Sequence, residues 1–131
     1  MNLVSMVVVD ISIGLPSKPG VPEFEKIDRD RISLKWTAPK SDGGTDIFNY
    51  VIECRAEGAF KWKRCNDDTV PLCRYTVKGL REKEVYEFRV SAENRAGVGP
   101  SSEATLPTKA EEKVGKFISI QKELSKFKTA F

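Results

Sequence analysis

Short runs of alternating apolar and polar residues recur along this sequence, separated by clusters of turn-forming residues. The longest run lies at 84–94, where Tyr86, Phe88 and Val90 alternate with charged or small polar residues. Successive side chains of a β-strand point to opposite faces, so a period of two is typical of a strand with one buried face. Several such strands at regular spacing predict an all-β sandwich or barrel.

The pattern predicts seven antiparallel strands within about 90 residues, the number expected of an immunoglobulin-like β-sandwich. Prolines at 16, 19 and 22 impose an extended path that leads into the first strand, as in an interdomain linker. The predicted strands are VPEFEKI (21–27), RISLKWT (31–37), IFNYVIECRAE (47–57), FKWKRCN (60–66), CRYTVKGL (73–80), EVYEFRVSAEN (84–94) and SSEATLP (101–107).

The charge of the chain is concentrated at its C-terminal end. The 131 residues carry 22 basic and 19 acidic side chains, of which six lysines and three glutamates lie within 109–131. The remainder is therefore neutral. A neutral domain lacks the positive surface that neutralises nucleic-acid phosphates, so we expect no nucleic-acid partner.

Four features favour a cytoplasmic location. The three cysteines, Cys54, Cys65 and Cys73, are an odd number and predict free thiols rather than a disulfide framework. The apolar opening of the chain lacks a basic region, is interrupted by Asp10 and is a poor signal peptide. No asparagine begins an Asn-x-Ser/Thr glycosylation sequon, and no apolar run reaches the length of a bilayer span.

The sequence contains no histidine. This excludes Ser-His-Asp and Cys-His catalysis and the usual zinc ligand sets. Cys65 and Cys73 flank the acidic segment DDTVPL, but their spacing differs from the CxxC pairs of structural zinc sites. The sequence therefore predicts a protein that is not an enzyme and that has no cofactor, no metal site and no catalytic residue.

Trp36, the KGL motif followed by Tyr86, and the run YEFRVSAENRAGVGPSS together resemble a fibronectin type III domain. The resemblance is closest to the domains of giant intracellular muscle proteins of the titin and twitchin group. It implies that the tryptophan lies in the core and that the tyrosine ties a loop to the sandwich. Together with the alternation, it predicts structural core residues at Trp36, Tyr50, Ile52, Leu80, Tyr86, Phe88 and Val90.

The same resemblance covers residues 16–108, which are expected to form the fibronectin type III domain. The concentration of lysines sets 109–131 apart as a basic tail, which the resemblance does not reach. The alternating stretch VVVDISI within 1–15 resembles the last strand of a preceding domain followed by a linker. The chain would then be one piece of a longer array, working by lateral contacts and by resisting tension.

Two segments are candidate partner-binding sites. In the first, Lys61, Lys63 and Arg64 surround Trp62, as in a basic patch with an aromatic anchor, although an ordinary solvated sheet face has the same composition. In the second, the tail, apolar residues fall on one stripe of a helix and lysines lie away from it. Such a helix could dock on the sandwich, on calmodulin or on an anionic membrane surface, or the tail could be disordered. The stripe contains Phe117, Ile120, Leu124 and Phe127.

These observations favour a structural and protein-binding module of a titin- or twitchin-like filament protein in the sarcomere, with thick-filament proteins or neighbouring domains as partners. Two alternatives remain open. One is an extracellular receptor or adhesion module of the same fold, which would carry sequons or paired cysteines. The other is a regulatory segment whose basic tail binds calmodulin or a neighbouring kinase domain.

Overall fold

A computed structural model describes residues 12–113, which form two antiparallel sheets packed face to face. The predicted all-β antiparallel sandwich is confirmed. In this part of the chain, no helix has the length and apolar character that a bilayer crossing requires. The strands are β1 (Glu23–Ile27), β2 (Ile32–Lys35), β3 (Asn49–Ala56), β4 (Lys63–Arg64), β5 (Arg74–Val77), β6 (Val85–Asn94), β7 (Gly97–Val98) and β8 (Thr108–Lys109).

The two sheets differ in size. The smaller has the order β1-β2-β5, and the larger has the order β4-β3-β6-β7, with β8 pairing at the other end of β6. The longest ladder joins β3 to β6 over eight residue pairs, from Asn49 opposite Glu93 to Ala56 opposite Tyr86. β4 and β5 each lie at the edge of a sheet.

The core lies between the inward faces of the two sheets, where the alternation places it. Phe24 of the smaller sheet meets Phe88 of the larger one edge to face, with ring centroids 6.3 Å apart. Trp36 and Tyr50 make a second such contact at 5.4 Å. Aromatic rings fill the roughly 10 Å between two packed sheets efficiently, and edge-to-face contacts add to the area that they bury.

The segment SSEATLP (101–107), predicted as the last strand, is not a regular strand. Two short strands take its place, β7 before it and β8 after it, so the described residues contain eight strands rather than seven. Between them the chain still follows β6, because Ser102 N donates to Val90 O at 2.7 Å and Thr105 N to Phe88 O at 2.9 Å. The hydroxyls of Ser102 and Thr105 accept from the N–H groups of Val90 and Phe88, in the place of backbone carbonyls.

Residues on both sides of the predicted 16–108 unit also pack on the sandwich. Gly14 N donates to Gly43 O at 2.8 Å, and the Asn94 amide donates to Gly14 O at the same distance. At the other end, Ala110 is fully buried, and Lys83 N donates to its carbonyl. The possible preceding strand within 1–11 and the tail stripe of Phe117, Ile120, Leu124 and Phe127 lie outside the described residues.

Candidate functional site

The residues predicted to form the core lie on the inner faces of both sheets. Leu80 is half-buried in the loop after β5 and packs against the hydrophobic core. The other predicted core residues are buried, and Ile52, Phe88 and Val90 have no exposed surface. The buried ones are Trp36, Tyr50, Ile52, Tyr86, Phe88 and Val90.

Tyr86 forms the corner that the resemblance implies. Its hydroxyl accepts a hydrogen bond from Arg81 N at 2.8 Å and donates to a Glu84 carboxylate oxygen at 3.3 Å. The ring is buried against the core while the hydroxyl holds the loop between β5 and β6. Since an unpaired buried hydroxyl would be costly, this arrangement satisfies both ends of the side chain.

The Tyr50 hydroxyl makes a second polar contact inside the core. The Cys73 thiol donates to its hydroxyl at 3.3 Å. Burial raises the pKa of the Tyr50 phenol well above its usual value. The fold therefore favours the neutral phenol.

We expect the protein to lose stability at alkaline pH, and Tyr50→Phe to reduce that loss. An unfolded tyrosine ionises near pH 10, so the contribution of Tyr50 is fully present below about pH 10 and is lost as the pH rises toward its higher folded-state pKa. Urea unfolding at about pH 9 and about pH 11 should show a smaller fall in midpoint for the variant. Equal falls in the two proteins would contradict this assignment.

Trp62 lies on the outer face of the larger sheet under two arginines. The guanidinium carbons of Arg55 and Arg89 are 4.5 Å and 4.3 Å from its ring centroid. Each arginine also pairs with the glutamate directly opposite it on the neighbouring strand, Arg55 with Glu87 at 3.2 Å and Arg89 with Glu53 at 2.9 Å. The ring is thus covered by its own domain.

These contacts separate the predicted patch into two parts. Trp62 belongs to a layer of side chains on the sheet surface, which gives the ring a stabilising role. Lys61, Lys63 and Arg64 instead line a groove between β4 and the end of β5, described below. The exposed aromatic residue of this region is Phe60, whose side chain is 92% exposed.

Trp62→Ala should lower the free energy of unfolding by about 1–2 kcal/mol, because each arginine–ring contact contributes about 0.5–1 kcal/mol at an exposed site. Phe60→Ala is the matched control and should leave the free energy of unfolding nearly unchanged. Chemical denaturation monitored by circular dichroism measures both. Equal destabilisation by the two substitutions would show that the arginines do not stabilise the Trp62 ring.

The groove beside β4 contains two of the three thiols. Cys54 faces Lys63 in the β3–β4 register, and Cys65 N donates to Ile52 O at 2.7 Å, so the two cysteines are diagonal neighbours across the strand pair. The neighbouring Cys65 thiol lowers the pKa of Cys54, assisted by the charge of Lys63 and opposed by burial. The neighbouring Cys54 thiol, together with burial, raises the pKa of Cys65, whose Sγ donates to Lys63 O at 3.7 Å.

Asn66 is an important residue that the sequence patterns do not predict. Its side chain has no exposed surface. The amide oxygen accepts from Ile52 N at 2.8 Å, and the amide nitrogen donates to Tyr50 O at 2.9 Å and to Asp68 O at 3.1 Å. The side chain thus continues the ladder of β3 beyond the end of β4. Asparagine next to an acidic pair is typical of a turn, so only the strand register could have identified this role.

Within 12–113 no three cysteine, aspartate or glutamate side chains are grouped closely enough to hold a metal ion. Cys65 lies beside Cys54, and Cys73 beside Tyr50, so the two cysteines that flank DDTVPL have different neighbours. All three cysteines are free thiols.

Comparison with known proteins identifies the fold family. The model of the fibronectin type III domain matches residues 17–108. The chain belongs to the fibronectin type III family. This fibronectin type III domain is 32% identical over 95 residues to the cardiac-type myosin-binding protein C of Gallus gallus, an alignment that covers 72% of the chain and 8% of that protein. The chain thus spans less than a tenth of the length of this relative.

Solved structures of muscle proteins are similar to this fibronectin type III domain. A crystal structure of titin domains is 39% identical, with a TM-score of 0.72, and the match covers 76% of the chain and 34% of the titin chain. The kinase region of twitchin from C. elegans is 33% identical, with a TM-score of 0.70, over 76% of the chain and 17% of the twitchin chain. The domain therefore resembles those of sarcomeric muscle proteins, consistent with a structural, protein-binding module.

Proposed function

We propose that this domain is a non-enzymatic spacer and binding module of a titin- or twitchin-like muscle filament protein, located in the sarcomere. The observation that carries the proposal is the position of its two ends on β6. The incoming chain is bound at one end of this strand, through Asn94 and Gly14, and the outgoing chain pairs with the other end, through Val85 and Lys109. Ten residues of strand separate these ends by about 30 Å.

Hydrogen bonds and burial fix the direction of the incoming linker at residues 14–17. Ser17 N donates to Ser41 O at 2.9 Å, Gly14 N donates to Gly43 O at 2.8 Å, and Pro16 is fully buried. Proline also restricts the chain to an extended path. A preceding domain joined through this linker would therefore be placed in line with the long axis of the sandwich. This is the geometry that a regular array requires.

The relatives support the choice of partner and location. One of them is named for binding myosin, and the similar structures come from titin and twitchin. The free thiols at Cys54, Cys65 and Cys73 are compatible with the reducing cytoplasm in which sarcomeres lie. The absence of histidine from the whole sequence supports a role that does not involve catalysis. Thick-filament proteins and neighbouring domains of the same chain are the proposed partners.

Cosedimentation with purified filaments tests the proposal. The protein should sediment with myosin filaments at physiological ionic strength and should remain in the supernatant with actin filaments. Fluorescently labelled protein added to demembranated striated myofibrils should decorate the thick-filament region. The proposal is wrong if the protein sediments with neither filament or equally with both.

A further inference from the structure

A basic groove runs along one side of the sandwich between the two sheets. It has a volume of about 490 Å³, which is within the range of ligand-binding clefts. β4 borders it on the larger sheet, and the end of β5 with the following loop borders it on the smaller sheet. We call this feature the β4–β5 groove.

The floor of the β4–β5 groove is apolar. It contains the neighbouring free thiols of Cys54 and Cys65, together with aliphatic and aromatic side chains at the edge of the core. A free cysteine behaves as a small apolar residue when it packs. Cys54 and Tyr86 are buried, and Cys65 and Leu80 are half-buried, so part of this floor is open to an incoming side chain. The floor residues are Cys54, Ala56, Cys65, Val77, Leu80 and Tyr86.

The rim carries an excess of positive charge. Six basic residues and one acidic residue, Glu84, line the β4–β5 groove. Arg55 is paired with Glu87, but the other five basic side chains form no ion pair with any residue of the described range. Since residues 1–108 are neutral overall, this is a local concentration of charge. The five are Lys61, Lys63, Arg64, Lys78 and Arg81.

The two strands beside the groove are sheet edges. Edge strands expose unpaired backbone N–H and C=O groups, to which an extended peptide can bind as an added strand. An extended peptide would alternate its side chains, so that apolar ones could enter the floor while acidic ones meet the rim. Charge complementarity of this kind sets both specificity and the rate of association.

We propose that the β4–β5 groove binds an extended acidic segment of a partner protein. The acidic side chains pair with the rim lysines and arginines, and intervening apolar side chains rest on the cysteine-lined floor. The proposal goes beyond the spacer role and does not depend on it, because the groove is complete within this domain. Failure of filament binding would leave it standing.

The probe for the proposal is a short fluorescein-labelled peptide that alternates glutamate with valine, measured by fluorescence anisotropy at about 0.05 M and 0.15 M salt. Lys61→Glu/Lys78→Glu should weaken binding about tenfold or more, because it reverses two rim charges. Lys35→Glu/Lys40→Glu is the matched control: it changes the net charge equally, at exposed positions away from the groove. It should weaken binding less than about twofold.

The thiols report where the peptide binds. The acidic peptide should slow the alkylation of Cys65 and leave that of Cys73, which lies outside the groove, unchanged. Equal weakening by the two double variants, equal binding of a glutamine–valine peptide, or no protection of Cys65 would each overturn the proposal. Displacement of the peptide by an equal concentration of inorganic phosphate would also overturn it, since the site would then recognise a single anion and not a peptide.

Discussion

Replacing Asn66 with alanine should lower the free energy of unfolding by about 3 kcal/mol or more. The substitution removes the partners of Ile52 N and Tyr50 O, two backbone groups inside the larger sheet, and leaves a cavity at the end of β4. Each buried polar group left unpaired costs about 1–3 kcal/mol. A domain of this size is stable by only about 5–15 kcal/mol, so a substantial part of its stability would be lost. Urea denaturation measures the change.

Two further variants test the mechanism at Asn66. Asp67→Ala alters the exposed neighbouring residue and should change the free energy of unfolding by less than about 0.5 kcal/mol. Asn66→Asp keeps an acceptor for Ile52 N but places a carboxylate oxygen against the Tyr50 carbonyl. Only a protonated carboxyl can donate to that carbonyl, so the variant should gain stability, relative to the parent, when the pH is lowered from 7 to about 4. No such gain would contradict the proposed hydrogen bonds.

Gly43→Ala should also destabilise the domain strongly and should release the incoming linker. Gly43 has a φ of +81°, and a methyl group there would strike the carbonyl of Gly14 and approach the Asn94 amide. We expect a loss of about 2–4 kcal/mol, combining the conformational penalty of a left-handed residue with the steric conflict. Exchange of the Gly14 amide hydrogen, which is bonded to Gly43 O, should become faster.

Gly58→Ala is the matched control for Gly43→Ala. Gly58 has nearly the same φ, +84°, but a methyl group at this position would meet no atom within 4 Å. It should therefore cost only the conformational penalty, about 1–2 kcal/mol, and should leave the Gly14 amide protected. If both variants cost the same, the close approach between Gly43 and the linker would contribute nothing.

The central strands could be predicted from the sequence because their side chains alternate between core and surface. β2, β3 and β6 each lie within the predicted runs, and large residues such as Phe88 and Ile52 have a clear period of two. Tyr86 was identifiable because a tyrosine six residues after a KGL motif resembles the corner tyrosine of fibronectin type III domains. Burial on one face is a local property of the sequence, so local patterns are sufficient for these elements.

The remaining features depend on the register between neighbouring strands, which local sequence patterns do not specify. The segment 99–107 runs along β6, where the hydroxyls of Ser102 and Thr105 accept hydrogen bonds from β6 N–H groups. Serine and threonine are equally typical of a loop, so their presence does not predict this arrangement. The proximity of Cys54 to Cys65 and the role of Asn66 both depend on how β4 aligns with β3. Trp62 was a candidate anchor in the sequence, but its arginine neighbours come from two other strands.

The chain enters and leaves the sandwich at opposite ends of β6, and this has a mechanical consequence. A pull applied through Gly14 and Lys109 acts along the strands, whereas the hydrogen bonds between antiparallel strands are perpendicular to them. The ladders are therefore loaded in shear, and many bonds must break together before the sandwich yields. A pull on β7 across the sheet would instead peel its bonds one at a time. The domain should withstand a stretch along its strands far better than a sideways pull at its edge.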